Sequence, residues 1–277
     1  MLASLAAQTQ KPGQVIVVDA SVEPTDEIVR SAEGLSVDYL RWTDKPSAAA
    51  QRNGGLSKVR DDIDLVCFFD DDQILHPDGI EKMLAFWHTA PEDLGGASFN
   101  MANHRDNRPA RLKRSWLSNA LGLYCNEPGK VAPSGWQSLY GKVTQNTEVE
   151  WLSSQAIVLH RKVLDEFRFD PFFGGYSYLE DLDFSYSVSR KYKLVVVEDA
   201  CFEHHPCPAG RTSSYRFGAV ESRNRLYFVR KHKLSTWRCY LGLLIRGLMT
   251  LEEAVMVRNV HSLGRALGNI EGIFFGQ

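Results

Sequence analysis

The sequence predicts an α/β fold: a mostly parallel central sheet flanked by helices, followed by a helical C-terminal tail. Three observations point there. Continuous apolar runs at residues 15–18, 65–69 and 194–197 are bounded by turn or charged residues, as in strands buried on both faces. Segments of helical pattern lie between and around them, at 24–32, 45–59, 77–89 and 180–192. Residues 216–233 and 236–257 then read as two long helices with no strand between them.

Taken in order, residues 2–10 read as the end of an amphipathic helix, stopped by Lys11-Pro12-Gly13. Val15-Ile16-Val17-Val18 is a strand ending at Asp19. A helix over 24–32 and a shorter strand over 37–42 follow. The helix at 45–59 carries Pro46 near its first turn, where a missing N–H is tolerated. Leu65-Val66-Cys67-Phe68-Phe69 is a second buried strand, ending at Asp70-Asp71-Asp72, and a helix over 77–89 comes next. A strand is expected over 95–103. Residues 103–114 carry Arg105, Arg108, Arg111, Lys113 and Arg114 and read as a loop, either a solvated face or a patch that meets an anionic acceptor. The glycine- and proline-containing stretch 124–141 reads as extended loop. Order returns over 149–159, then a short helix, an aromatic and glycine-rich stretch over 167–178, the helix at 180–192 and the strand at 194–197, with 202–208 after it.

The chain has 277 residues, a net charge of -2, 44% hydrophobic and 24% charged residues, the composition of a soluble globular protein with a sizeable core. The near-neutral balance gives no reason to expect a nucleic-acid partner. The five cysteines, Cys67, Cys125, Cys201, Cys207 and Cys239, are odd in number and form no C-x-x-C pair. That spacing argues against a zinc cluster and for a reduced, cytoplasmic setting. The start lacks a basic region followed by a long apolar run. No stretch reaches the ~18 uninterrupted apolar residues of a spanning helix.

Three groups of residues carry chemistry. Asp70-Asp71-Asp72 places adjacent carboxylates at the C-terminal end of a buried strand, the edge where α/β sheets bind ligands. A hard divalent cation, Mg²⁺ or Mn²⁺, relieves their repulsion and also takes substrate phosphates; a solvated turn is the alternative. Glu180-Asp181-Leu182-Asp183 opens a helix, whose dipole alone would favour acidic residues. The sharper reading makes Asp181 a general base, with Glu180 beside it. Glu203-His204-His205-Pro206 follows a strand, as a metal ligand or as a surface pair.

In combination these features resemble glycosyltransferase family 2, inverting enzymes of the GT-A fold, and rhamnosyltransferase-like members in particular. The resemblance rests on Ser4-Leu5-Ala6-Ala7-Gln8-Thr9 with Val15-Ile16-Val17-Val18-Asp19-Ala20-Ser21, and on Ala48-Ala49-Ala50-Gln51-Arg52-Asn53-Gly54-Gly55-Leu56. It continues in Phe69-Asp70-Asp71-Asp72 with Pro77-Asp78-Gly79, in Trp151-Leu152-Ser153-Ser154-Gln155, and in Glu180-Asp181-Leu182-Asp183-Phe184 with Arg190. It spans about residues 2–232. The resemblance implies that Asp19 contacts the nucleotide base and that Arg52 and Asn53 lie beside the donor. It implies that Asp70 and Asp71 sit on the donor, that Asp72 reaches the metal, and that Asp70 reaches the ribose or the metal shell. His204, with His205 as the less favoured choice, is similar to the family's late metal-binding histidine. Asp181 looks like the catalytic base, and Trp151, Ser153 and Ser154 would lie near the sugar or acceptor. The implied reaction moves a sugar, with inversion, from a deoxythymidine- or uridine-diphosphate donor to a saccharide or lipid-linked acceptor in bacterial surface polysaccharide synthesis.

Two departures from the family pattern carry expectations of their own. Relatives begin with a strand ending in a Pro-Thr-x-Asn-like turn, whereas this chain opens inside the following helix, so the sheet is expected to lack its first strand. Ser153-Ser154-Gln155 stands where many relatives have a glycine-rich turn. Residues 1–233 are expected to form the transferase domain and 234–277 a helical tail. The tail's Trp237, Tyr240, Leu241, Leu243, Leu244 and Ile245, flanked by Arg230, Lys231, Lys233, Arg238 and Arg246, suit either packing on the main domain or peripheral contact with the inner face of the cell membrane. Two other functions fit less of the pattern: a non-catalytic module that binds nucleotide sugars or a partner, and a metal-dependent nucleotidyltransferase. The lack of a G-x-x-x-x-G-K-[ST] loop counts against the common forms of the latter.

Overall fold

The computed structural model describes residues 1–104, 115–206, 212–256 and 259–274. In chain order the elements begin with α1 (Leu2–Ala6), β1 (Val15–Asp19), α2 (Asp26–Arg30), β2 (Val37–Arg41), α3 (Ala48–Leu56), β3 (Leu65–Phe69) and β4 (Gln73–Leu75). There follow α4 (Gly79–His88), β5 (Leu94–Met101), α5 (Trp116–Ala120), β6 (Thr147–Val149), β7 (Ala156–His160), α6 (Arg161–Glu166) and α7 (Glu180–Ser189). The last are β8 (Lys193–His204), α8 (Ser214–Lys231), α9 (Thr236–Met256) and α10 (Val260–Phe274). They divide into two compact units, Met1–Asp106 with Tyr140–Cys207, and Asn107–Leu139 with Pro208–Gln277. The boundary expected at 233 falls inside the second unit, because α8 packs on α9 and α10.

The first unit is a mixed α/β structure. β1 and β2 pair in parallel, from Val15 opposite Val37 to Asp19 opposite Arg41. A second sheet has the order β3-β7-β5-β8-β4, with β6 also on β8. β5 and β8 are parallel, and β3 runs with them because both β3 and β5 are antiparallel to the intervening β7. Alternation along β3 divides its side chains between two cores. Val66 and Phe68 pack with Leu56 against a cluster that includes Leu152, Ile157, Phe169 and Phe184. Leu65 and Phe69 pack against a second cluster containing Leu5, Ile80, Met83 and Phe99.

Several expected boundaries shift for local reasons. α1 ends at Ala6, short of Gln10, and the Gln8 side chain continues its bonding, donating to the Ser4 and His76 carbonyls at 3.0 and 2.8 Å. The stretch over which order was expected to return, 149–159, holds the end of β6 and most of β7 around a turn. β8 extends over 12 residues through the polar Glu198 and Asp199. A register shift between Phe99 and Asn100 accommodates them, and buried Asn100 donates to the Glu198 and Val143 carbonyls, both at 2.9 Å. α3 starts at Ala48, where the Ser47 hydroxyl caps it by accepting from the Ala50 N–H at 3.3 Å.

The second unit holds α5, α8, α9 and α10. Buried Arg225 donates to the Gly135 carbonyl and to Gln137 at 2.5 and 2.8 Å. Buried Glu221 accepts a two-pronged ion pair from Arg265, with N–O distances of 2.9–3.1 Å. α8 and α10 approach so closely that a Cβ on Gly268 would lie 1.9 Å from the Tyr215 carbonyl oxygen. Most of the basic loop expected over 103–114, and Cys207, lie outside the described residues.

Candidate active site

The ends of β1 and β3 and the face of α3 meet at one cleft, of about 1310 Å³, lined by Asp19, Arg52, Asp70, Asp71 and Asp72 among others. Five of the expected site residues therefore share one space. They reach it because β1 and β3 both end in carboxylates and α3 presents Arg52 between them.

Arg52 is the hub. Its guanidinium donates to Glu180 Oε1 at 3.0 Å and to Asp70 Oδ1 at 3.1 Å, and lies over the Phe169 ring at 5.4 Å. Although burial pulls it down, the Glu180 and Asp70 carboxylates beside it raise its pKa above the usual arginine value. Asp70 is itself pushed up, by burial first, against the opposing pull of Arg52. Glu180 and Asp181 open α7 directly after Leu179, which holds a left-handed φ of 71°. A leucine in that region is strained, and such residues cluster where a side chain must be aimed. Asp181 Oδ1 accepts the Leu182 N–H at 2.8 Å. Burial, and then the neighbouring Glu180 charge, push the Asp181 carboxyl up to about 7.

Asp19 has the opposite environment. It accepts from the Ser21 N–H at 2.8 Å and from the Ser21 hydroxyl, and from the Thr25 N–H and hydroxyl at 2.9 and 3.1 Å. Tyr39 and Arg41, across the β1–β2 ladder, donate at 2.6 and 3.0 Å. Burial alone would raise its pKa, but these hydrogen bonds hold it well below the usual carboxylate range. Asp19 thus lines the cleft while its oxygens pin the 20–25 loop.

Asp72 and His204 form the second part of the site. Gln73 pairs opposite His204 in the β4–β8 ladder, which brings His204 Nε2 to 3.1 Å from Asp72 Oδ2. Asn103 clamps the His204 backbone on both sides, at 2.9 and 3.0 Å. Asp72 Oδ1 is buried and without a hydrogen-bond partner, the condition of an acceptor awaiting a donor or a cation. His205 turns instead to Glu203, at 2.9 Å. Among the described residues no three His, Cys, Asp or Glu side chains already form a closed metal cage.

Asn53, Trp151, Ser153 and Ser154, also expected at the site, make the following contacts within the protein. Both amide atoms of Asn53 bind the Phe169 main chain, at 2.8 and 3.1 Å, so the side chain expected beside the donor anchors the loop under Arg52. Buried Trp151 packs on Tyr140 with ring centroids 5.4 Å apart. The Ser153 N–H donates to the Tyr140 hydroxyl at 3.1 Å, and the Leu152 N–H to Ser185 of α7 at 2.9 Å. Ser154 is buried in the same turn. Sequence reading missed Leu179, Gln73, Asn103 and the Tyr39–Arg41 pair. Only Gln73, adjacent to the acidic triplet, left a signal; the others depend on register and backbone angle.

Comparisons with known proteins bear on the fold and the family. A mannosyltransferase from Pyrobaculum calidifontis, in complex with GDP-Man and Mn²⁺, superposes with a TM-score of 0.56 at 13% identity, over 99% of this chain and 82% of that one. S. aureus TarS superposes with a TM-score of 0.54 at 17% identity, over 88% of this chain and 39% of that one. GalNAc-T7 with UDP, GalNAc and Mn²⁺ gives 0.52 at 11% identity, over 86% of this chain and 52% of that one. At such identities the likeness is one of fold, that of the GT-A glycosyltransferases. No curated protein sequence matches the chain. The family model for glycosyl transferase family 2 matches residues 1–158, more than half of the sequence, and the chain belongs to that family.

Proposed function

We propose that this glycosyltransferase moves a sugar, with inversion, from a nucleotide-diphosphate donor in the Asp19–Asp70 cleft to a saccharide or lipid-linked hydroxyl. One observation carries the reading: Asp181 lies half-buried beside the Arg52–Glu180–Asp70 array with its carboxyl pushed up to about 7. A base poised near neutrality is suited to take a proton from an acceptor hydroxyl as that oxygen attacks the anomeric carbon. Attack from the face opposite the leaving diphosphate inverts that carbon and requires no covalent enzyme intermediate. Arg52 holds Glu180 and Asp70 in place, and Leu179 aims the start of α7.

The donor set fits a hard divalent cation. Asp72, with its unpartnered Oδ1, and the adjacent His204 would hold Mn²⁺ or Mg²⁺, with Asp70 near enough in sequence to join the outer shell. Bound there, the cation would neutralise charge on the diphosphate leaving group. Asp70 and Asp71 face the donor, and Trp151 with Ser153 and Ser154 forms the turn assigned to the sugar or acceptor side.

The acceptor and location complete the proposal. α10 is patterned inside out: Ser262, Ala266, Gly268, Asn269 and Gly272 are buried, while Leu263, Leu267, Ile270 and Phe274 are exposed. α9 likewise exposes Leu244, Leu248, Leu251 and Val255. Among the described residues no helix is long and apolar enough to cross a membrane. These faces support a cytoplasmic protein resting on the inner membrane surface, where a lipid-linked acceptor for surface polysaccharide would be met. Flotation with anionic vesicles tests this part, and Leu267→Glu with Ile270→Glu should release the protein.

The test of the transfer reading is thermal stability against nucleoside diphosphates, including those of thymidine, uridine and guanosine, with and without Mn²⁺. A ligand at 100 times its Kd adds ~2.7 kcal/mol, a rise of roughly 5–10 °C for a chain of this size. One nucleotide should raise the midpoint only with Mn²⁺, and Asp72→Asn should abolish the rise. No shift with any nucleotide would favour a non-catalytic, partner-binding module. Release of pyrophosphate from a nucleoside triphosphate would favour nucleotidyl transfer.

A further inference from the structure

Two glutamines stand behind the Asp72–His204 pair with their side-chain amides incompletely used. Gln73, the first residue of β4, is fully buried, and the β4–β8 ladder sets it directly opposite His204, on the same face of the sheet. Its Oε1 accepts the Asp70 N–H at 3.3 Å. That bond fixes which end of the amide is oxygen, so Nε2 is the end that lies buried without a partner. Gln155, just ahead of β7, reaches the same peptide from another strand, and its backbone carbonyl also accepts the Asp70 N–H at 3.3 Å. Its side-chain Nε2 lies 3.5 Å from His204 Nδ1.

Buried polar groups are paired in nearly every native structure, so an unpaired donor calls for a bond made in another state. Here an unpaired donor and an unpaired acceptor occupy consecutive residues: Gln73 Nε2 and Asp72 Oδ1. The other oxygen of that carboxylate, Oδ2, is engaged with His204 Nε2 at 3.1 Å. A cation taken up by Asp72 and His204 replaces that bond and leaves the carboxylate to be oriented through Oδ1. It also fixes the histidine tautomer. A ring that gives Nε2 to a cation carries its proton on Nδ1, and the matching partner there is an acceptor. The Gln155 amide supplies one when it turns its Oε1, in place of Nε2, to the ring.

We propose that Gln73 and Gln155 are positioning residues for the divalent cation: Gln73 Nε2 donates to Asp72 Oδ1, and Gln155 Oε1 accepts from His204 Nδ1. These roles rest on the reading of Asp72 and His204 as the residues that hold the cation, and they add the side chains that aim the two. Outer partners of this kind govern metal affinity because they orient the ligand and set its basicity. The two glutamines act with opposite polarity, one as a donor to a carboxylate and the other as an acceptor from a ring. Glutamate in place of glutamine therefore has opposite consequences at the two positions: at 155 it keeps the acceptor, and at 73 it sets an acceptor against an acceptor.

The experiment measures binding of Mn²⁺ alone to the full chain, by loss of the free-ion EPR signal, in wild type and four variants. Gln155→Leu and Gln73→Met should each weaken binding by roughly 10–100-fold. Gln155→Glu should bind at least as tightly as wild type, whereas Gln73→Glu should remain weaker by at least about tenfold. Tighter binding in both Glu variants would mean that added charge alone matters, and wild-type affinity in all four would mean that the glutamines only hold the fold; either result would overturn the proposal. Should a Gln73 variant fail to fold, Mg²⁺ titration of wild type with ¹⁵N-labelled glutamine decides. The Gln73 side-chain amide protons should shift and exchange more slowly with Mg²⁺, and unchanged signals at saturation would overturn the proposal. Wild type that binds neither cation would remove the cation reading and these roles together, whereas wild-type binding with unmoved variants removes these roles alone.

Discussion

Asp19 and Asp181 are the same side chain in the same α/β unit, and their surroundings drive them in opposite directions. Asp19, ending β1, is buried among donors from Ser21, Thr25, Tyr39 and Arg41 and is held well below the usual carboxylate range. Asp181, opening α7, lies half-buried beside another carboxylate and is pushed up to about 7. Burial acts upward on both. The number of hydrogen bonds offered to the charged form decides the sign. A carboxylate saturated by its own protein has little left for a substrate, whereas one short of donors is available for proton transfer.

The sharpest way to break this contrast is Asp181→Asn. Transfer should fall by at least about 10³-fold while donor binding survives. Folded Asp181 titrates near 7 against an ordinary 3.8, so the stability its protonated form supports is complete below 3.8 and is lost as pH rises through 7. The Asn variant should therefore be more stable than wild type at pH 8, by at least ~1 kcal/mol in urea denaturation. Retained transfer, or lower stability at that pH, would remove Asp181 from its role.

Next in size is Arg52→Met, which leaves Glu180 without its buried partner. The expected loss is about 3 kcal/mol, read from the same denaturation curves. His204→Ala should weaken Mn²⁺ binding by roughly 10–100-fold, whereas His205→Ala should leave it within a factor of about two. Equal effects in the two variants would contradict the pairing of His204 with Asp72. Asp19→Asn should destabilise by about 1–2 kcal/mol, through lost charge-assisted bonds to Arg41 and Tyr39. Its folded pKa is depressed, so that stability is present above 3.8 and is lost as pH falls toward the folded value. The gap between wild type and variant should accordingly close in acid.

Much of this arrangement was legible in the residues. Val66, Phe68 and the neighbouring apolar positions mark β3, and the carboxylates just beyond it mark the binding edge, because burial and ligand position both follow strand order. Strand direction was not legible: the apolar run of β7 reads the same whether parallel or, as found, antiparallel. β4, three residues after an acidic turn, is too short to carry a period. Five of the expected residues, Asp19, Arg52, Asp70, Asp71 and Asp72, do line one cleft, but their separate environments were not legible. The saturation of Asp19 depends on the register that sets Arg41 opposite it. The aim of Asp181 depends on a left-handed Leu179, a conformation that leucine gives no reason to expect. The resemblance places Asn53 beside the donor, and its bonds to the Phe169 main chain depend on tertiary contacts that the sequence does not display. The second compact unit includes α8, which reads in sequence as a basic helix, because its buried Glu221, Asn224 and Arg225 make it the core of a helical group.

The most direct test is a site-resolved NMR titration of the aspartate carboxyl carbons in the full chain, without ligand. The account predicts a midpoint near 7 for Asp181, with Asp19 still ionised at the lowest pH at which the protein remains folded. Ordinary midpoints for both residues, near 3.8, would contradict it and leave the chain without a base poised for sugar transfer.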